Sequence, residues 1–362
     1  MPGYSKPKIF KMKYLYIFFV AVIIIVIGGG LFIVVNQKND AQVLSSTVTE
    51  INNVQASSNV VSYISDQDGN QEIYLEDKDQ QKIQRVTDTN VSEFSPTLSS
   101  DGKKLAFFSE EDSFFGIWIY SLENNEKKLV SITKANPKRL MFSPDSLLLA
   151  YTEEDGIQNQ LYVINTKNSS KERVSSFCND FTWSADSSAI VYTRNSQTGI
   201  TKTEMDIRMI AENGKFNEPS TVFVGGVAPV FFNDSERLFF IDTNGEYLSL
   251  VSTSLRGEDY QEEFQIKIQP QDNTSYRLLN NPIKNELLLS ILSEDKLVES
   301  LYISLEDEVV LPLDENVDSA HWKNDGEIIY IAVDQNEQRQ IWTKDSYDAI
   351  SLQITNKNNN WF

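Results

Sequence analysis

The chain has 362 residues, with 32 Lys plus Arg against 52 Asp plus Glu and a formal charge of −20. So acidic a chain is ill suited to gripping phosphate backbones, and no nucleic-acid partner is expected; one Cys and one His exclude a disulfide framework, a zinc finger and any multi-histidine metal site. Hydrophobic residues at 40% and aromatics at 11% are enough for a packed core and exclude wholesale disorder.

The chain opens basic. Lys6, Lys8, Lys11 and Lys13 precede an unbroken apolar run from Tyr14 to Val35, and the first acid is Asp40. The run is 22 residues long, and a helix needs about 20 to cross the hydrocarbon core. One membrane-spanning helix is expected over Tyr14–Val35. The bias of the lysines puts residues 1–13 in the cytoplasm and the rest outside the cytoplasmic membrane, periplasmic or extracellular. A cleaved signal peptide is the competing reading. Its apolar stretch is normally about 7–15 residues and ends at a small-x-small site; here the run leads into Asn36-Gln37-Lys38, so an uncleaved, single-pass anchor is expected. Residues 36–58 are polar, poor in aromatics, and read as a linker. Without the four leading lysines, 28 basic residues face 52 acids, which leaves the exported part at −24.

A repeat runs through residues 59–362. Leu98-Ser-Ser-Asp-Gly102, Phe142-Ser-Pro-Asp-Ser146, Trp183-Ser-Ala-Asp-Ser187, Phe231-Phe-Asn-Asp-Ser235 and Trp322-Lys-Asn-Asp-Gly326 align. Each is a turn, because the Asp side chain bonds backbone groups further along. The runs that follow, KKLAFFS, LLLAYTE, SAIVYTR, ERLFFID and EIIYIAV, are rich in β-branched and aromatic residues and read as buried strands. A third element, as in GIWIYSLEN from Gly116 and QLYVINTKN from Gln160, alternates as half-buried strands do. KKLVSIT, KERVSSF and SLQIT supply a fourth, outer strand. The aspartates 101, 145, 186, 234 and 325 are spaced by 44, 41, 48 and 91 residues; the last gap holds two units, the hidden one turning at Asn281–Asn285.

A period of about 40–50 residues with four strands per unit is the signature of a β-propeller. Second strands fall near Val60, Leu105, Leu148, Ile190, Leu238, Leu287 and Ile328. The expected fold is therefore all-β, a seven-bladed propeller with six blades as the alternative, behind one transmembrane helix. The first unit lacks an innermost strand ahead of it. The closing segment ITNKNNNWF is expected to supply it, Trp361 and Phe362 completing blade 1 and sparing the ring unpaired edges.

The repeat DQDGNQEIYLED at Asp66–Asp77 and FSPTLSSDGKKLAFFS at Phe94–Ser109 resembles that of the TolB-type propellers and of the N-terminal propellers of prolyl-oligopeptidase-like peptidases. The resemblance covers 59–362 and is weaker around 200–320. It implies a β-propeller working outside the cytoplasm, usually as a docking platform. Two departures stand out: the small α/β domain of TolB is replaced by a membrane segment and linker, and no peptidase domain follows.

No G-x-S-x-G nucleophile elbow and no Gly-rich phosphate loop occurs. His321, beside Trp322, reads as a core or channel-wall imidazole, and Cys178 as a small buried hydrophobe. Asp66-Gln67-Asp68-Gly69-Asn70 offers oxygens as a calcium loop does, but its twelfth position is Asp77 rather than the longer Glu, so it reads as a turn. No catalytic residue, cofactor or metal is expected, and the chain is read as no enzyme.

The hairpins between second and third strands carry Asp66 and Asp68; Glu110, Glu111 and Asp112; Glu153, Glu154 and Asp155; Asp242 and Glu246; Glu294 and Asp295; Asp334 and Glu337. In a propeller these hairpins share one face, so the acids form a rim. Summed like charge on one face draws in oppositely charged ligands. The expected function is a membrane-anchored extracytoplasmic propeller that binds an envelope protein or basic peptide. The alternatives are a carbohydrate- or cation-binding propeller, or a propeller lyase or hydrolase using paired channel carboxylates.

Overall fold

The computed structural model describes residues 25–27, 30–32, 55–56, 60–66, 69–77, 80, 82–156, 158–195, 203–211, 214–232, 236–270, 274–293, 296–313, 317–333 and 339–353. The chain divides into two units, Met1–Ser46 and Thr47–Phe362. In the first, Ile25–Ile27 pairs antiparallel with Gly30–Phe32. The remainder of the expected Tyr14–Val35 helix lies outside the described residues, and among the described residues no helix is long and apolar enough to cross a membrane.

The second unit is a seven-bladed propeller of four-stranded antiparallel sheets. From the centre outward, blade 1 is Gln55–Ala56, Val60–Ser65, Glu72–Asp77 and Lys82–Arg85; blade 2 is Glu93–Leu98, Lys104–Glu110, Phe115–Ser121 and Lys127–Thr133. Blade 3 is Asn136–Phe142, Leu148–Asp155, Gln158–Asn165 and Lys171–Ser175; blade 4 is Asp180–Trp183, Ala189–Asn195, Thr203–Met209 and Ser220–Val224. Blade 5 is Gly226–Phe231, Arg237–Asp242, Leu248–Ser254 and Gln261–Ile266; blade 6 is Thr274–Asn280, Glu286–Ser293, Lys296–Ser304 and Val309–Pro312. Blade 7 is Val317–Trp322, Ile328–Val333, Arg339–Lys344 and Leu352–Gln353. All seven expected second strands are in place, the degenerate one at Glu286–Ser293 included.

The two-residue alternation of a strand explains the core. In the second strand of blade 2, Leu105 and Phe107 pack toward blade 1 while Ala106 and Phe108 pack toward blade 3. In blade 6, Leu287 and Leu289 face blade 5 and Leu288 faces blade 7. Each blade thus buries both faces, which is why its second strand is a continuous apolar run. Fully burying such side chains contributes about 1.5–3 kcal/mol each before entropy is counted.

The Asp turns are built as the repeat predicts. Ser99 Oγ donates to Asp101 at 2.5 Å and accepts from Lys104 N at 2.9 Å, while Asp101 accepts from Lys103 N at 3.1 Å. Ser143 with Asp145 and Ser184 with Asp186 repeat the pattern. The residue after the Asp lies in the left-handed region, at φ 67° for Gly102, 61° for Ser146, 62° for Ser187 and 82° for Gly326. In blade 6, Asn281 takes the place of the Ser, accepting from Ile283 N at 3.0 Å and donating to Glu286 at 2.8 Å. The aromatic before the turn ties blades together: the Trp183 indole donates to Met141 O at 3.3 Å, and that of Trp322 to Leu279 O at 3.1 Å.

Closure differs from expectation. Among the described residues, the innermost place of blade 1 is filled by Gln55–Ala56, paired with Ser62 and Val61. The chain therefore enters the ring within the segment read as linker. Trp361 and Phe362, proposed above as the clasp, lie outside the described residues. Apolar packing closes the ring: Val61, Tyr63 and Tyr74 of blade 1 form one cluster with Ile329, Ile331 and Ile341 of blade 7.

Candidate functional site: the hairpin face and a cleft between the first two blades

Every second strand runs the same way through the ring, so the hairpins that follow open on one face. The connections from each outer strand to the next blade reach the same face. Of the fourteen acids expected there, Asp68, Glu294, Asp295, Asp334 and Glu337 lie outside the described residues. Glu110, Asp112, Asp155 and Glu246 are exposed, and Asp66, Glu111, Glu154 and Asp242 are half-buried.

The half-buried acids have local duties. Glu154 pairs with Lys138 at 2.9 Å, Glu111 accepts from Ser109 Oγ at 2.9 Å, and Asp242 accepts from Asn244 N at 2.9 Å. Asp66 closes a turn, its carbonyl accepting from Gly69 N at 3.0 Å with Gly69 at φ 103°. Glu153 needs correction. It is buried, accepts from Tyr151 Oη at 3.0 Å, and lies 3.6 Å from Lys171 Nζ, whose ammonium sits 3.9 Å from the Tyr162 ring centroid. A charge placed inside the blade 2–blade 3 seam and paired there is no rim group.

The inner strands carry cationic groups as well, Arg139 on blade 3 and Arg277 on blade 6. Arg139, from the inner strand of blade 3, is ion-paired with Asp180 and lies 4.8 Å from the centre of the Phe181 ring. Burial pushes its guanidinium down to about 9, with the nearby Arg277 adding to the effect. His321 of blade 7 faces the same two arginines. Burial first, then Arg277 and Arg139, push its imidazole down to about 3, so it is neutral at ordinary pH. It is buried, in keeping with the core or channel-wall imidazole expected from the sequence. Cys178 is buried, its thiol pushed up to about 12 by burial.

The hairpin face also holds a site that motif reasoning missed. Glu72 opens the third strand of blade 1 and Glu93 opens the first strand of blade 2; their relative exposures are 0% and 2%. Glu72 Oε1 accepts from Thr89 N at 3.0 Å, Asn70 Nδ2 at 3.0 Å and Arg85 at 3.2 Å. Burial works against its ionisation, but hydrogen bonds from Thr87, Thr89, Asn70 and Glu93 outweigh that and hold its carboxyl below the usual range. Glu93 Oε1 accepts from Thr89 Oγ1 at 2.8 Å. Burial, and then the charge of Glu72, push its carboxyl up to about 7. Both Oε2 atoms are buried away from any N–H or O–H of the protein. Two neighbouring buried carboxyl groups resist ionising together, and Glu93 is the one whose proton is held.

Glu93 looks into a cleft of about 310 Å³ walled by Val91, Phe107, Glu111 and Trp118. The Trp118 indole donates to Ser109 Oγ at 2.9 Å, which in turn donates to Glu111, so ring and carboxylate are held together. Gly116 makes room for this: a Cβ there would sit 2.6 Å from both Ser109 Oγ and Trp118 Nε1. The one signal in the sequence was a Glu at the head of the otherwise apolar strand EIYL. Among the described residues, no three of His, Cys, Asp or Glu gather as a metal site.

The model of the TolB beta propeller domain family matches residues 36–262. No curated protein sequence matches the chain. Among solved structures, the β-propeller domain of the Trilobed protease from Pyrococcus furiosus, described as an open velcro topology, is similar at TM-score 0.62 and 16% identity, over 85% of this chain and 96% of that one. An oligogalacturonate lyase in complex with manganese gives TM-score 0.61 at 12% identity, over 80% of this chain and 87% of that one. A puromycin-hydrolysing peptidase of Mycobacterium tuberculosis gives TM-score 0.61 at 12% identity, over 85% of this chain and 53% of that one.

These likenesses correct one expectation. The missing triad, nucleophile elbow and metal cluster led to a chain read as no enzyme. The similar structures are mostly peptidases, with a lyase among them, so missing motifs do not exclude activity in a chain of this architecture. At identities of 9–16% the likeness establishes the fold alone.

Proposed function

Because the chain belongs to the TolB beta propeller domain family, we propose that it is a docking module, a rigid ring whose hairpin face binds a protein or peptide partner in the cell envelope. The run Tyr14–Val35 with its leading lysines supports a ring tethered to the cytoplasmic membrane and facing outward. The observation that carries the reading is the set of exposed carboxylates on that face, Glu110 and Asp112 of blade 2, Asp155 of blade 3 and Glu246 of blade 5. Like charges presented together by one rigid scaffold speed the approach of a basic partner, and the effect fades as salt rises.

The test is chemical crosslinking of the full-length protein in its native cells, followed by mass spectrometry. One repeatable partner, crosslinked at the hairpin face, is expected. The quadruple variant Glu110→Gln, Asp112→Asn, Asp155→Asn, Glu246→Gln should lose it. Capture that is unchanged in the variant, or absent altogether in the wild type, overturns the reading.

A further inference from the structure

We infer that the cleft between blades 1 and 2 is a receptor for a single basic side chain of the partner, an arginine whose guanidinium meets the carboxyl of Glu93. The inference rests on the docking function proposed above and names the chemistry that the face selects.

The shape of the cleft favours an organic cation over a metal ion. A bare divalent ion asks for about six to eight oxygens in close coordination. The cleft of about 310 Å³ instead has apolar walls, Val91, Phe107 and Trp118, leading to Glu93. An arginine matches that division, with an alkyl stem for the walls and a planar head for the acid. A guanidinium over an indole face and against a carboxylate combines cation–π attraction with charge-assisted hydrogen bonds. Glu93 Oε2 is buried without a protein donor, and so is Glu72 Oε2. A bound guanidinium supplies to Glu93 the donors that the protein itself does not.

The charges around the pair set the pH dependence. Arg85 already pairs with Glu72 at 3.2 Å and with Asp88 at 3.0 Å, which leaves the charge deficit on the Glu93 side. Glu111 stands on the same wall as Trp118, and Lys127 at the edge of the cleft is exposed and opposes an incoming cation. Binding must expel the Glu93 proton to solvent. The cleft is therefore weak when the pair holds its proton and strong when it does not.

The experiment uses the full chain in detergent and titrates N-acetyl-arginine amide by calorimetry, with N-acetyl-citrulline amide as the uncharged isostere. With Glu93 titrating at about 7, the apparent affinity should rise about thirtyfold from pH 5.5 to pH 8.5, because only the deprotonated fraction binds. Release of up to about one proton per ligand below pH 7 should accompany binding. Glu93→Gln mimics the protonated pair; it should fold, as its melting curve will report, bind no arginine amide and show no pH dependence. Lys127→Gln should bind more tightly than wild type. Equal binding of the citrulline compound, a flat pH profile, binding by Glu93→Gln equal to wild type, or no binding by folded wild type each overturn the inference. Arginine binding without any crosslinked partner defeats the docking function and leaves a small-cation site. A crosslinked partner without arginine binding defeats only the cleft.

Discussion

Asn324 Nδ2, in the turn of blade 7, donates to the Ser100 carbonyl in the turn of blade 2 at 3.0 Å. The bond passes over blade 1, whose inner strand is only Gln55–Ala56. Blades 7 and 2 are thus tied across a two-residue inner strand. An intramolecular hydrogen bond contributes about 0.5–1.5 kcal/mol, and an exposed one the lower part of that range. Asn324→Ala should lower unfolding free energy by about 0.5 kcal/mol in urea titration. A variant as stable as wild type would show that closure rests on the apolar seam alone.

The residue after each turn Asp separates two outcomes. Ser146 lies at φ 61° with its hydroxyl buried and without a partner. A non-glycine residue in that region costs about 1–2 kcal/mol, and an unsatisfied buried hydroxyl adds to it. Ser146→Gly should stabilise the ring by about 1 kcal/mol, net of the extra chain entropy of glycine. Gly326→Ala should do the reverse by about 2 kcal/mol: φ is 82°, and the added Cβ would meet Ile283 at 2.6 Å. Thermal melts of the two variants, moving in opposite directions, would check both.

The Glu93 proton has a stability signature. Glu93 keeps its proton to about pH 7 when folded, whereas an unfolded glutamate loses it near 4.5. Between those values the folded state binds more protons, so this group's contribution to stability falls as pH rises and is fully lost above about 7. Glu93→Gln removes that slope. Its melting temperature relative to wild type should climb from pH 5 to pH 8; a constant difference would mean that the pair is not coupled.

His321 acts in the opposite sense. An imidazole at about 3 in the fold and 6.5 when unfolded leaves stability intact above 6.5 and erodes it as pH falls toward 3. His321→Asn should flatten the acid limb of the stability curve below pH 6.5, as measured by denaturant titration. An unchanged limb would place the acid sensitivity elsewhere.

Cys178, with its thiol at about 12 and buried, should resist thiol reagents at pH 8 in the folded protein and react at once in strong denaturant. Rapid labelling of the native protein would show that the seam between blades 3 and 4 opens.

The blades were legible because each second strand is an apolar run following an Asp turn; even blade 6 could be found, since Asn281 keeps the turn bonding of the missing Ser. Closure was not legible. Gln55–Ala56 carries no apolar pattern, while Trp361 and Phe362 look like strand residues. The rim was legible as composition but not as burial: the same hairpin holds buried Glu153 and exposed Asp155, and what separates them is the partner ring of Tyr162 and the ammonium of Lys171. The Glu72–Glu93 pair lies beyond sequence reasoning, because two blades bring together acids that share no motif.

The short entry strand has a mechanical consequence. Tension on the chain ahead of Gln55 falls first on two registered pairs, Gln55 with Ser62 and Ala56 with Val61. These peel before any blade core is stressed, and each freed residue pays out about 3.3 Å of slack. The entry strand touches Glu93–Leu98, so a pull on it is felt next at the strand that carries Glu93.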